Sequence, residues 1–414
     1  MLFVYRSIIN FIVLISPIII LFRLLKKKED PIRFKEKFCI FSKKRVKGNL
    51  IWFHGASVGE ILSVIPLIEK LERKSEIKQI LITSNTLSSS KIISNLKLKK
   101  TIHQFFPIDT NYHSQKFLDY WNPSSAIFID SEIWPNMILN IKKRPIKLIL
   151  LNGRITKKSF NRWKKFSLTA KNLFQKFDIC LASNNETKKY LTFFKAKKIK
   201  YIGNLKFSQV ENETNKLNHK IKKYLKLKTI WCAASTHDTE ELLCATIHKK
   251  LKAKYKNLLT IIIPRHVERK KIIINQLKKL NLNIYIHSSG GGVPNNTDIY
   301  LVDSYGKTKS FFKICKTVFL GGSMIEHGGQ NPIEAARYGC KILHGKNTWN
   351  FKEVYSLLNR YNVTDKIDNL NQMKNRLESI LDKKNTSKNI KNKIDKLGDK
   401  ILRTTLKEIK SFII

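Results

Sequence analysis

From residue 49 onward the chain alternates short, unbroken apolar runs with amphipathic segments, and it passes through that alternation twice. The first series is "NLIWFHG", "KQILITS", "TIHQFFPI", "SSAIFID", "KLILLNG", "DICLAS" and "KIKYIGN", separated by helical stretches such as "EILSVIPLIEKLER" and "NETKKYLTFF". A strand buried on both faces reads as a continuous hydrophobic run, so the pattern predicts a parallel sheet covered by helices on both sides. A polar, charge-rich stretch, "SQVENETNKLNHKIKKYLK", interrupts the rhythm before "TIWCAAS", "LLTIIIP", "NIYIHS", "DIYLVDS", "KTVFLGG" and "KILHG" restart it. A chain of 414 residues exceeds what one ordinary core fills. The expected fold class is α/β: a doubly wound, Rossmann-like domain over residues 29–207, a linker over 208–226, a second such domain over 227–366 and a basic helical tail over 367–414. Two such domains would face a cleft, with ligands at the carboxyl ends of the strands.

The segment before this alternation differs. "SIINFIVLISPIIILF" (7–22) carries no charge and is flanked by Arg6 and by "RLLKKK". With the first five residues it approaches the roughly 20 apolar residues that span a bilayer. Residues 1–28 therefore read as a membrane anchor with a basic flank. Arg23, Lys26, Lys27 and Lys28 place the following chain on the cytoplasmic side, and Pro17 and the marginal length leave open a helix lying in the interface. Six cysteines, at 39, 180, 232, 244, 315 and 340, include no C-x-x-C pair and sit mostly in apolar runs. They read as buried thiols of a reducing compartment, and no metal site is expected. The net charge of +48 suits a polyanionic partner, an anionic membrane or nucleic acid. A nucleic-acid binder calls for a basic stripe with stacking aromatics, and no such module is evident.

"IWFHGASVGE" (51–60) contains Gly55-Ala56-Ser57-Val58-Gly59, the G-x-S-x-G of a nucleophile elbow. A hydrolase elbow lies deep in its sheet and draws an oxyanion donor from an earlier strand-loop; here the motif follows the first strand, and nothing in the spacing of later His and Asp residues selects a triad. The other reading makes the two glycines a tight turn, with Ser57 near a helix N-cap and Glu60 in the first turn. A carboxylate there suits the macrodipole on structural grounds alone. At a strand's carboxyl end it can also take a proton from an acceptor hydroxyl. The dipole would lower its pKa, which desolvation would have to offset. A membrane-tethered serine hydrolase using Ser57 and a basic nucleic-acid- or anionic-surface-binding protein are the alternative functions.

The elbow is one of seven motifs in order, followed by "DSEIWPN" (130–136), "LNGRIT" (151–156), "YIGNLKF" (201–207), "AASTHDTEE" (233–241), "IIPRHVER" (262–269) and "FLGGSMIEHGGQNPIEAARYG" (319–339). Together they resemble the lipid A-directed 3-deoxy-D-manno-octulosonic acid (Kdo) transferases of Gram-negative bacteria, and "DPIRFKEKF" after the apolar segment is similar as well. The resemblance implies a GT-B glycosyltransferase of lipopolysaccharide synthesis at the inner membrane, with an N-terminal acceptor domain and a C-terminal nucleotide-sugar domain. Its donor would be CMP-Kdo and its acceptor a phosphorylated lipid A precursor. Transfer would invert the anomeric carbon without a bound metal or other cofactor, and no nucleic acid would take part.

The resemblance also assigns roles. Glu60 would be the general base, which leaves Ser57 no nucleophilic task. Glu132, with Asp130 where a Glu is usual, matches an acidic pair, and Lys206 would stabilise charge in the transition state. Ser57, Gly59, Asn152 and Arg154 would line or shape the acceptor site. The donor would be held by Ser235, Thr236 and His237; by Pro264, Arg265 and His266, where Arg grips phosphate or carboxylate; by Tyr305, Gly306 and Lys307; and by Gly321, Gly322, Ser323, Gly328 and Gly329, whose backbone N–H groups near a helix start suit phosphate. Asn331, Pro332, Ile333 and Glu334 complete the set. Asn331 and Glu334 around Pro332 also form a capping signature, while the resemblance gives Glu334 the ribose hydroxyls of CMP. Lys307 where Glu is usual, Gln330 where His is common, and Ala335 and Lys341 for frequent prolines depart from the family pattern.

Overall fold

In the computed structural model of the protein, which describes residues 2–96, 98–209, 217–382 and 386–413, the apolar runs pair into two seven-stranded parallel sheets. The first holds β1 (Asn49–His54), β2 (Ile77–Ser84), β3 (Thr101–Phe105), β4 (Ser125–Ile129), β5 (Lys147–Gly153), β6 (Ile179–Ala182) and β7 (Ile199–Tyr201), in the order β3-β2-β1-β4-β5-β6-β7. The second holds β8 (Thr229–Thr236), β9 (Leu258–Pro264), β10 (Ile284–Ile286), β11 (Ile299–Leu301), β12 (Thr317–Leu320), β13 (Lys341–His344) and β14 (Thr364–Lys366), in the order β10-β11-β9-β8-β12-β13-β14. The chain winds outward from β1 to β3, then returns to place β4 on the other side of β1. It repeats that reversal between β8 and β12. At such a switch point the loops leaving two neighbouring strands diverge and open a crevice at their carboxyl ends.

The strands form where β-branched and aromatic residues are buried on both faces. Leu50, Ile51, Trp52 and Phe53 of β1 are fully buried, and Phe53 pairs with Ile82 of β2 and Ile127 of β4. Trp52 packs against Phe117 and Phe128 at ring separations of 4.8 and 5.3 Å, and its indole N–H donates to Thr83 Oγ1 at 2.9 Å. The rings supply the bulk of the apolar area, and the one polar atom is satisfied. Many covering helices start on a side-chain cap: Ser57, Thr86, Thr110, Thr156 and Asn184 each accept a backbone N–H of the first turn. Such caps satisfy otherwise orphaned donors at the rim of the sheet.

Two compact units result, Met1–Val210 with Gly398–Ile414, and Glu211–Leu397. Of the expected linker, residues 210–216 lie outside the described residues, whereas His219–Lys226 is a helix that buries Ile221 and Leu225. The expected tail is likewise divided. Leu370–Leu381 buries Met373 and Leu377 in the second unit's core, and the helix Thr386–Ile413 ends in the first unit, where Lys200 Nζ meets Glu408 Oε2 at 2.6 Å and Asn49 Nδ2 donates to Ile413 O at 3.1 Å. Gly398 occupies the point where that helix touches the Phe207 carbonyl, too close for a Cβ. All six cysteines are free and buried. "DPIRFKEKF" proves to be a clamp: Arg33 donates to Glu36 Oε1 (2.8 Å), Ser90 Oγ (2.9 Å) and His103 O (2.8 Å), while Glu36 Oε2 accepts the Phe105 N–H at 2.8 Å. Leu2–Leu25 is a single helix, long and apolar enough to cross a membrane.

Candidate active site

In the first unit the switch point between β1 and β4 collects the carboxylates. β1 ends at His54, and the turn Gly55–Ser57 leads into the helix Val58–Glu72. Ser57 is its N-cap: Ser57 Oγ accepts the Glu60 N–H at 3.4 Å and donates to Glu60 Oε1 at 2.7 Å, and Glu60 Oε2 accepts the Ala56 N–H at 2.8 Å. Cap and carboxylate thus bind each other, with Glu60 reaching the N–H of the residue before the N-cap rather than that of the N-cap itself, as a full capping box would. Each Glu60 oxygen retains a second lone-pair direction for a substrate proton. Burial raises the pKa of Glu60 above the ordinary carboxylate range. The Ser57 hydroxyl and the Ala56 N–H pull it down, while the charges of Glu132 and Asp130 push it further up. The net direction is upward, so desolvation and like charge outweigh the helix start, and the group becomes a stronger base.

β4 supplies the neighbouring acids. Glu132 Oε2 accepts the Trp134 indole N–H at 2.8 Å and stands 3.2 Å from His54 Nε2, whose Nδ1 lies 2.9 Å from Thr83 Oγ1. His54 is fully buried and stacked on Phe106 at 3.8 Å. Burial lowers its pKa against the opposing pull of Glu132. Asp130 is buried with a left-handed backbone (φ 61°), held there as its N–H donates to Leu151 O and its carbonyl accepts the Arg154 N–H, both at 3.0 Å. For a non-glycine residue such a conformation costs free energy that the surrounding bonds must supply. Burial raises the Asp130 pKa, and the charges of Lys206 and then Arg154 oppose that rise. Asn152, also left-handed (φ 54°), accepts the Leu205 N–H on Oδ1 at 2.9 Å and so pins the turn that carries Lys206.

Residues 60, 130, 132, 154 and 206, which come from four separate strand ends, thus share one electrostatic neighbourhood. Ser57 and Gly59 are exposed on its rim, and a Cβ at Gly59 would meet nothing within 4 Å. Ser57 spends its hydroxyl on Glu60, and both ring nitrogens of His54 are engaged elsewhere, so the elbow-like sequence is a helix cap. Sequence reasoning missed His54 and Trp134. "WFHG" carried the signal, a histidine closing an otherwise apolar strand.

In the second unit the switch point lies between β8 and β12. Ser235 (φ 55°), Thr236 and His237 leave β8, Pro264, Arg265 and His266 leave β9, and Gly321 to Ser323 leave β12. Arg265 and His266 are exposed, with the Arg265 N–H on Thr236 O at 2.9 Å. The His237 ring lies 4.1 Å from that of His327 and 5.8 Å from that of His266, and its pKa falls to about 4 through burial, then through those two rings, Arg265 and Arg269. Tyr305 is exposed with its hydroxyl on Glu268 at 2.9 Å, Gly306 is left-handed (φ 79°), and Lys307 is half-buried at the start of a short helix.

Two readings of this unit change. The N–H groups of Gly322, Ser323 and Met324, and that of His237, all donate to the buried carboxylate of Glu240, at 2.7 to 3.1 Å. Gly329 N–H donates to Gly322 O at 2.8 Å. These backbone donors are therefore already satisfied within the fold, and Glu240, which no motif singled out, ties the loop after β8 to the loop after β12. Gly321 has no room for a side chain, since a Cβ would lie 2.5 Å from Ser235 O and 2.6 Å from Thr236 Cα. The capping signature is also incomplete: Asn331 Oδ1 accepts the Ile333 N–H at 3.1 Å, Pro332 is the N-cap of a five-residue helix, and Glu334 pairs with Lys309 at 3.3 Å instead of reaching back. That leaves the half-exposed Glu334 carboxylate beside a cation, where it can also accept from a hydroxylated ligand.

The fold is shared with a crystal structure of UDP-N-acetylglucosamine 2-epimerase, at a TM-score of 0.58 and 11% identity over 89% of this chain and 97% of that one. Two Rossmann-like parallel-sheet units define the GT-B fold. A family model described as 3-deoxy-D-manno-octulosonic-acid transferase (kdotransferase) matches residues 32–209. The 3-deoxy-D-manno-octulosonic acid transferase of Rickettsia bellii is 33% identical over 91% of this chain and 89% of its own. That of Haemophilus influenzae is 31% identical over 74% of this chain and 73% of its own. The chain belongs to the 3-deoxy-D-manno-octulosonic acid transferase family.

Proposed function

We propose that the protein transfers Kdo from CMP-Kdo to a phosphorylated lipid A precursor, with inversion and without a metal ion, at the cytoplasmic face of the inner membrane. The observation that carries this reading is the gathering of Glu60 with Asp130, Glu132, Arg154 and Lys206 in one electrostatic neighbourhood at the carboxyl ends of four strands of the first sheet. Glu60 takes the proton of an acceptor sugar hydroxyl as its oxygen forms the bond to the anomeric carbon of Kdo. The bond from that carbon to the CMP phosphate breaks with its electron pair leaving on CMP. One displacement inverts the centre, so no enzyme-bound sugar is needed. Lys206 and Arg154 balance the charge of Asp130 and supply cations for the acidic substrates.

On the second unit, Arg265, His266 and His237 offer side-chain donors for phosphate or carboxylate, and Glu334 offers an acceptor for ribose hydroxyls. With the backbone donors of 322 to 324 already bonded, these side chains rather than a glycine cradle carry donor recognition. The basic surface suits both a phosphorylated acceptor and an anionic leaflet, each basic group near such a surface adding on the order of 1 kcal/mol. The test is to incubate the purified chain with CMP-Kdo and tetraacylated lipid A precursor and to weigh the lipid by mass spectrometry. A gain of one or more Kdo units with release of CMP is expected. An unchanged lipid in the presence of folded, CMP-binding protein overturns the reading.

A further inference from the structure

The first helix is apolar all round, yet it is not free-standing. At one end Tyr5 Oη donates to Asp109 Oδ2 at 2.7 Å and Arg6 Nε donates to Asn136 Oδ1 at 2.9 Å. Asp109 is itself buried, accepting the N–H groups of Asn136 (3.0 Å) and Met137 (2.8 Å). Midway, Ser16 and Ile20 are buried. At the other end Arg23 pairs with Glu29 at 2.9 Å, and Glu29 also holds Lys37 at 2.6 Å. The same unit therefore holds the helix at both ends, through Tyr5 and Arg6 on Asp109 and Asn136 and through Arg23 on the segment that follows. Tyr5 and Arg23 are about 27 Å apart along a helix rising 1.5 Å per residue, close to the hydrocarbon thickness of a bilayer. A spanning helix would put these two attachment points on opposite sides of the membrane and drag Asp109 and Asn136 into hydrocarbon, where polar groups are costly.

The opposite face of the helix is a stripe of exposed apolar side chains at helical spacing, Phe3 (81%), Phe11 (62%), Leu14 (77%), Ile18 (71%) and Leu25 (74%). It continues onto the next element, since Leu2 and Leu168 line one shallow recess and Leu168 is 85% exposed. Immediately before Leu168 lies the helix Lys157–Lys164, in which no residue is buried and whose Lys157, Lys158, Arg162 and Lys164 are exposed. Exposed Lys26, Lys27 and Lys28 close the other end. An apolar face bordered by cations at both ends is complementary to the interface of an anionic bilayer.

We propose that Leu2–Leu25 is a monotopic helix lying in the plane of an anionic membrane, docked on the first unit through Tyr5, Arg6 and Arg23 and inserting its Phe3–Leu25 stripe among the lipids. The proposal rests on the membrane part of the function given above and specifies its geometry. It also places the acceptor side of the unit against the bilayer, because the basic helix begins three residues after Arg154. The lipid substrate would then reach the carboxylates without leaving the leaflet.

The test uses the full chain carrying single cysteines at positions 3, 11, 18 and 25, which label selectively because the six native cysteines are buried. Each is tagged with an environment-sensitive fluorophore and bound to vesicles of phosphatidylethanolamine and phosphatidylglycerol, with nitroxide lipids as shallow or deep quenchers. The expected result is one shallow depth at all four positions. Depths that run through the bilayer centre, as a spanning helix rising about 33 Å between positions 3 and 25 requires, overturn the proposal. So does a lipid-free dimer that shields position 11, which would assign the stripe to a second copy. The pair L14E/I18E is expected to lower vesicle binding at least tenfold while leaving CMP release in detergent unchanged. A chain that ignores vesicles yet transfers Kdo in detergent removes the membrane geometry alone, whereas absence of transfer in detergent removes the functional reading instead.

Discussion

Replacing Ser57 by alanine separates the cap from the nucleophile. The serine is exposed, caps the helix Val58–Glu72 and donates to Glu60 Oε1 at 2.7 Å. Loss of a serine N-cap costs about 1 kcal/mol, and water reaches an exposed site to replace much of the lost bond, so a melting-point drop of roughly 2–4 °C is expected. The chemistry changes through Glu60. The Ser57 hydroxyl is the largest influence holding the Glu60 pKa down, so its removal raises that pKa further. A base must be deprotonated to act, and the acid limb of the kcat/KM profile therefore moves to higher pH. Well above that limb, transfer should stay within about tenfold of the parent, whereas deleting a true serine nucleophile costs roughly 10⁶-fold. The assay is initial transfer rate against pH, paired with thermal denaturation. A limb that moves to lower pH, or a collapse of activity at all pH values in a folded variant, would refute the reasoning.

Three further outcomes follow from the same geometry. Glu132→Gln removes a charge that raises the Glu60 pKa, so its acid limb should shift to lower pH, opposite in sign to Ser57→Ala, in the same rate profile. Glu240→Ala strands the four backbone N–H groups of His237, Gly322, Ser323 and Met324. At about 1 kcal/mol or more for each buried donor left unsatisfied, the second unit should lose about 4 kcal/mol or more by urea denaturation, and CMP binding with it, while Glu240→Gln retains part of both. Prolonged chelation with EDTA should leave the transfer rate unchanged; a loss restored by a divalent cation would show that a metal takes part.

Most of the architecture was legible because burial on both faces of a parallel sheet leaves a local mark, the unbroken apolar run. Thirteen of the runs read as strands became β1 to β13. The edge strand β14, Thr364–Lys366, was not read, since three residues of "TDK" with one edge in solvent bury too little to leave that mark. The carboxylates were legible as motif residues, but their mutual influence was not, because it arises from chain reversal between β1 and β4. Glu240 illustrates the limit most clearly. In sequence it is one of two glutamates at a helix start, a position the macrodipole favours anyway, and only the fold aims it at the N–H groups of a loop 82 to 84 residues later. The Ser57 cap expected at the start of Val58–Glu72 formed, whereas the capping signature legible at 331–334 did not. At the second site Lys309, supplied by another element, competes for Glu334.

In the proposed reaction Glu60 accepts the proton of the acceptor hydroxyl. The most direct measurement of that step is the transfer rate of Glu60→Gln, with CMP-Kdo and lipid A precursor saturating, beside CMP affinity and melting temperature of the same preparation. A positioned general base contributes roughly 10²- to 10⁴-fold. A loss in that range is expected with CMP affinity unchanged, because the residues proposed to hold the donor lie on the other unit. A folded Glu60→Gln protein that transfers Kdo within tenfold of the parent rate would contradict that role for Glu60.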